Sequence, residues 1–137
     1  MLTSFDTDNI LFQALNVDEV KTTITGGIYN EVERPDNSEK EDITINTITV
    51  TRTFSPQSGT SNVNIYVPDL KLNIKGQEQR KINKARLQEL TELVITKLET
   101  ANVQGVVFWV SNQTTLKEQG IYQHYTNLRI GWNIQII

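Results

Sequence analysis

The most regular pattern in the chain is its last one. Tyr122, His124, Leu128, Ile130, Trp132, Ile134 and Ile136 fall on one parity, and Gln123, Tyr125, Asn127, Arg129, Asn133 and Gln135 on the other. This period of two predicts a strand with one buried face. A 15-residue strand would reach about 50 Å, longer than a small domain usually holds. It is therefore expected to bend, with Gly131 the natural place, or to project and pair with another chain. "VVFWV", Val106 to Val110, is apolar on both parities and predicts a strand buried on both faces. The polar stretch "SNQTTLKEQG" between them reads as a long turn.

Upstream, "DITINTITVTRTF", Asp42 to Phe54, is rich in β-branched residues and predicts a strand. Ile43 and Ile45 share one parity, and Ile48, Val50 and Phe54 the other, so a bulge is expected near Asn46-Thr47. "SPQSGTSN" reads as a turn, and "VNIYVPDL" as a strand that ends at Pro68 or lies at an edge. Leu87, Leu90, Val94, Leu98 and Ala101 recur at helical spacing and predict a helix over 79–101. Asp6 or Thr7 is expected to cap a shorter helix carrying Ile10, Leu11, Ala14 and Leu15. Ile28 and Tyr29 begin a short strand after Gly26-Gly27, and the acidic stretch Glu31 to Asp42, which has no period, reads as a loop. The elements predict an α+β fold: a mostly antiparallel sheet of about four to five strands with two helices packed on one face. Residues 1–137 are expected to form a single domain, since the length suits one core and no internal repeat appears.

Composition narrows the chemistry. There is no cysteine, which removes disulfides, thiolate metal sites and thiol catalysis. No apolar run approaches the roughly 20 residues of a membrane helix, and the first residues lack the basic start and cleavage site of a signal peptide. The expectation is a soluble, intracellular protein without a membrane partner. The net charge of −3 is unevenly placed: residues 1–42 hold ten acidic and three basic side chains, and residues 71–98 seven basic and three acidic. Opposite halves suit packing against copies of the same chain more than a dedicated DNA-binding surface.

Four stretches invite a chemical reading. Gly26-Gly27 precedes a strand pattern and has no following Gly-Lys-Ser or Gly-Lys-Thr, so it reads as a positive-φ turn and not a phosphate cradle. The carboxylates after it, Glu31, Glu33, Glu39 and Glu41 among them, lack the offsets of a calcium loop and an apolar setting, so they read as a solvated loop or docking surface. His124, the only histidine, lies on an apolar parity with no nucleophile motif in the chain, and reads as a packing residue. Lys71, Lys75, Arg80, Lys81, Lys84 and Arg86 lie before and in the first turns of the predicted long helix. Cations there oppose the helix dipole by about 0.3–1 kcal/mol each, which an anionic partner would offset. A neighbouring protein's carboxylates fit best. DNA phosphates are the alternative, giving a small nucleic-acid-binding module over 71–86, but no aromatic residue interleaves these cations for base stacking.

Taken together, "TITGGIYNEVERP", "TITVTRTF", "NVNIYVPDL", "ARLQELTELVITKLE" and "HYTNLRIGWNIQI", in that order and spacing, resemble the tail terminator and tail completion proteins of long-tailed bacteriophages. The resemblance covers most of the chain and extends to related neck and connector proteins of the same small α+β fold. It implies a non-enzymatic virion protein with no cofactor, assembled in the host cytoplasm into a ring, typically of six copies, on the end of the tail tube. Such a ring meets tail tube protein on one side and head connector or neck proteins on the other, and double-stranded DNA passes through its bore. The loop 31–42 and the basic segment 71–86 depart from the simplest members of that family.

Overall fold

Placing the alternating stripes in space requires pairing the strands. The structure, a computed structural model, describes residues 1–135. In chain order it has helices α1 (Ser4–Leu15) and α2 (Asp18–Lys21), then strands β1 (Ile28–Asn30), β2 (Ile43–Val50) and β3 (Gln57–Pro68). A hairpin of β4 (Leu70–Ile74) and β5 (Gln77–Lys81) follows, then helix α3 (Lys84–Thr100), β6 (Val106–Lys117) and β7 (Gln123–Ile134). Five strands form one sheet in the order β1-β2-β3-β7-β6, antiparallel except for the parallel pair β1–β2, while β4 and β5 pair only with each other. The fold is α+β, with α1 and α3 packed on one face of the five-stranded sheet.

The core lies between those helices and one stripe of each strand. Leu11 and Leu15 of α1 and Leu87, Leu90, Val94 and Leu98 of α3 pack on Ile43, Ile45, Val63, Ile65, Val67, Leu128, Ile130, Trp132 and Ile134. The parity read from the end of the chain is thus the core stripe of β7, although Ile136 lies outside the described residues. A row of hydroxyls crosses the same interior. Thr7 bonds Thr47 at 2.7 Å, Thr47 bonds Ser61 at 2.8 Å, and the Trp132 indole N–H donates to Ser61 at 2.8 Å. Each of these polar groups therefore has a partner, which removes the main penalty of placing it there.

Several expectations needed correction. Thr3, not Asp6 or Thr7, caps α1; Asp6 is the reciprocal partner in a capping box. The bulge in β2 falls between Thr47 and Thr49, one step past the predicted place, and β2 ends at Val50, leaving Phe54 in an exposed loop. β3 starts at Gln57, inside the stretch read as a turn, and is a central strand that ends at Pro68. The stretch "SNQTTLK" extends β6 as an edge strand; its polarity reflects solvent on its open side, and the turn shrinks to residues 118–122. "VVFWV" is not buried on both faces: Val107 and Trp109 point to the uncovered face, 62% and 47% exposed. β7 neither bends nor projects, because β3 and β6 are as long as it is and bond it on both sides. Gly131 is there for close approach: a Cβ would sit 2.7 Å from the Trp109 ring.

Candidate interaction surfaces

The acidic loop and the basic segment, far apart in sequence, meet within one molecule. Arg86 near the start of α3 donates from Nε and Nη2 to the two carboxylate oxygens of Glu41, at 2.7 and 2.8 Å, and from Nη2 to the Thr23 carbonyl at 2.6 Å. This fork-on-fork pair raises the guanidinium's pKa above its ordinary value, chiefly through the hydrogen bonds to Glu41. Arg86 also pairs with the more exposed Glu89. Beside it, Asp42 is buried and accepts from the Gly27 N–H at 2.9 Å, Arg34 at 3.0 Å and the Ser38 hydroxyl at 2.6 Å. The expected solvated loop is therefore solvated only in part. Glu31, Glu33, Asp36 and Glu39 are exposed or nearly so, while Glu41 and Asp42 are buried because Arg86 and Arg34 fold onto them.

This explains the glycine pair. Neither Gly26 nor Gly27 has positive φ, contrary to expectation. A Cβ on Gly26 would lie 1.9 Å from Asp42 Oδ1 and 2.6 Å from the Glu41 carbonyl oxygen. The glycines let the backbone lie against the two buried carboxylates, and the Gly26 N–H bonds the Glu41 carbonyl at 2.9 Å.

The remaining basic residues are not on the helix, apart from Lys84 at its first position. Asn83 caps α3, accepting from the Arg86 N–H, and the segment before it is the β4–β5 hairpin. Lys75 and Gly76 form its two-residue turn with φ of 52° and 80°, the pattern of a type I′ hairpin. Register puts Lys71 opposite Arg80 and Asn73 opposite Glu78 on one face, and Leu70, Leu72 and Ile74 with Lys81, Gln79 and Gln77 on the other. Glu78 bridges Lys71 at 3.5 Å and Arg80 at 3.3 Å, and Arg80 also lies over the Tyr122 ring. Every hairpin residue is exposed except the half-buried Gln79. Lys75, Lys81 and Lys84 make no salt bridge among the described residues, nor do Glu31, Glu33 and Glu39.

His124 has an orienting acid that sequence spacing does not disclose. Its Nδ1 lies 2.6 Å from Oδ1 of the buried Asp69, whose backbone N–H bonds the Tyr122 carbonyl. No serine or threonine hydroxyl among the described residues bonds the ring, so the pair ties the root of the hairpin to β7 and does not make a triad. Among the described residues no three His, Asp or Glu side chains are grouped to hold a metal ion. The largest concavity, about 460 Å³, is an open groove between α3 and β6 lined by Leu87, Thr91, Ile95, Thr115 and Thr126.

The strand order and the two packed helices have a counterpart among solved structures. The fold resembles that of a virion chain. That chain belongs to the virion of a native gene transfer agent particle; the TM-score is 0.62 at 11% sequence identity, over 92% of this chain and 92% of that one. At this identity the likeness is one of fold. No protein-family model matches the sequence, and no curated protein does.

The sheet face opposite the helices is left open. It carries Asn62, Asn64 and Asn127, joined by amide hydrogen bonds at 2.7 and 3.1 Å, with Thr60, Asn112 and Thr114. Tyr66 stacks on Tyr125 at 4.8 Å, and burial pushes both phenol pKa values up. Arg129 is the one charged side chain among the described strand residues of this face.

Proposed function

We propose that the protein is a structural virion component that performs no bond chemistry and assembles as a ring, near six copies, at the junction of tail tube and head connector. The observation that carries the reading is the end-to-end fold similarity to a virion chain. The order of sequence stretches shared with tail terminators narrows the role to the end of the tail tube. The surfaces suit such a role. The charged residues left without internal partners, Lys75, Lys81 and Lys84 together with Glu31, Glu33 and Glu39, are those available to neighbouring subunits, tail tube or connector. An open sheet face of asparagine and threonine lacks the basic field that grips phosphates, as a surface passed by moving DNA requires. A closed ring repeats one heterologous contact, so every copy must offer two different complementary patches.

The test is genetic and visual. Removing the coding sequence from its phage is expected to leave filled heads and separate tails of irregular length, and antibody label on wild-type particles is expected at the head–tail joint. Normal joined particles without the protein, or label elsewhere, would refute the role. The exposed lysines Lys71, Lys75, Lys81 and Lys84 favour a second reading, a small nucleic-acid-binding module. It requires DNA affinity at low salt that falls steeply as salt rises. Flat anisotropy at 50 mM salt, about the low end of the range over which such affinities are compared, removes it.

A further inference from the structure

We propose that the two ends of the sheet bind each other between copies: the apolar face of the β4–β5 hairpin of one copy seats on a phenylalanine-rich surface at the opposite end of the next. This deepens the ring reading and rests on it. The hairpin leaves the sheet beside the pair Pro68–Gln123, where the β6–β7 turn also lies. At the other end of β3, about 40 Å away at 3.3 Å per residue, Gln57 clamps the N-terminus. Its amide accepts from the Leu2 N–H at 2.8 Å and donates to the carbonyls of Leu2 and Thr51 at 3.0 and 2.6 Å. That clamp brings the start of α1 beside the end of β2 and the loop after it. Phe5, Ile48 and Phe54 there are 80%, 52% and 72% exposed. Two phenyl rings and an isoleucine gathered at one end form a patch, unlike apolar residues scattered singly over a surface.

The two ends are complementary in charge as well as in apolarity. The hairpin holds Lys71, Lys75, Arg80 and Lys81 against Glu78, a net +3, whereas Asp6 and Asp8 flank Phe5 and only Arg52 opposes them. A two-stranded hairpin is marginal on its own, and its apolar stripe has no cover within the chain. Because the ends lie far apart, a molecule cannot satisfy both itself. Each copy gives its hairpin to one neighbour and its phenylalanine end to the other, the arrangement a heterologous contact needs to close a ring.

The absence of cysteine makes the test clean. A chain carrying both L72C and F54C, oxidised after assembly, is expected to give a ladder of disulfide-linked multimers on a non-reducing gel. Chains with either substitution alone should stay at monomer or a weak dimer. Leu72→Asp and the double variant F5S/F54S should remain folded by circular dichroism yet associate about tenfold or more weakly by mass photometry. If wild-type rings form but the doubly substituted chain gives no ladder and Leu72→Asp assembles normally, the inference is wrong and the ring reading stands. The inference is equally wrong, with the ring reading intact, if F5S/F54S forms rings normally and loses only tube binding. If the wild-type chain stays monomeric with and without tail tube protein, both fall.

Discussion

β7 and β4 carry the same alternation and end up in opposite environments. In β7 the stripe Leu128, Ile130, Trp132 and Ile134 is covered by helices and withdrawn from water. In β4 the stripe Leu70, Leu72 and Ile74 is exposed, and its strands pair only with each other. Local pattern specifies a strand and its face; it does not specify what covers that face. A covered stripe contributes to the stability of the fold, and an uncovered one remains available to a partner.

Substitution should separate the two most sharply at their centres. Trp132→Ala removes a buried ring and the indole N–H bond to Ser61, and is expected to lower the unfolding free energy by about 3–5 kcal/mol. Leu72→Ala in the hairpin should change it by about 0.5 kcal/mol or less in the monomer. Urea titrations of both variants measure the contrast. Similar losses would mean that the hairpin is covered within its own chain.

The contrast also explains how much of the fold is legible in the sequence. The β7 stripe is legible because several apolar residues in period two survive any choice of neighbour. The hairpin is hidden, although Leu70, Leu72 and Ile74 alternate and Lys75-Gly76 can turn. The stretch Gln77–Lys81 has no strand signal of its own and runs into a strong helix, so the periodicity starts that helix five residues early. VVFWV reads as buried on two faces because a sequence does not show which sheet face lacks a helix. The Glu41–Arg86 pair spans 45 residues, and the Asp69–His124 pair 55, distances over which one sequence without pairing information says nothing. The acidic and basic halves are real in composition, yet the fold brings part of them together.

A middle-sized effect is expected where the loop meets α3. Arg86→Ala leaves Glu41 buried without its partner and frees the Thr23 carbonyl. With Arg86 itself partly exposed, a loss of about 2–3 kcal/mol is expected, below that of a fully buried pair. Thermal unfolding of this variant beside K84A, which should be near neutral, tells structural charge from surface charge. Equal effects would place Arg86 with the exposed lysines.

The smallest effect concerns the cap of α1. Thr3→Ala should cost about 1 kcal/mol. The Thr3 backbone N–H, and then its hydroxyl, hold the Asp6 carboxyl below its ordinary pKa. A depressed carboxyl stabilises the fold at neutral pH and loses that contribution as pH falls through its folded value. Asp6→Asn is therefore expected to flatten the acid limb of the stability curve below pH 4, about the ordinary carboxyl value, and to leave the alkaline limb unchanged. An unaltered acid limb would remove Asp6 from the capping box.

The role proposed for this chain requires it to be a part that repeats. Mass photometry of the purified protein at micromolar concentration, alone and with tail tube protein from the same particle, measures this directly. A single closed oligomer, near six copies and favoured by tube ends, is the predicted result. A strict monomer in both samples would contradict it.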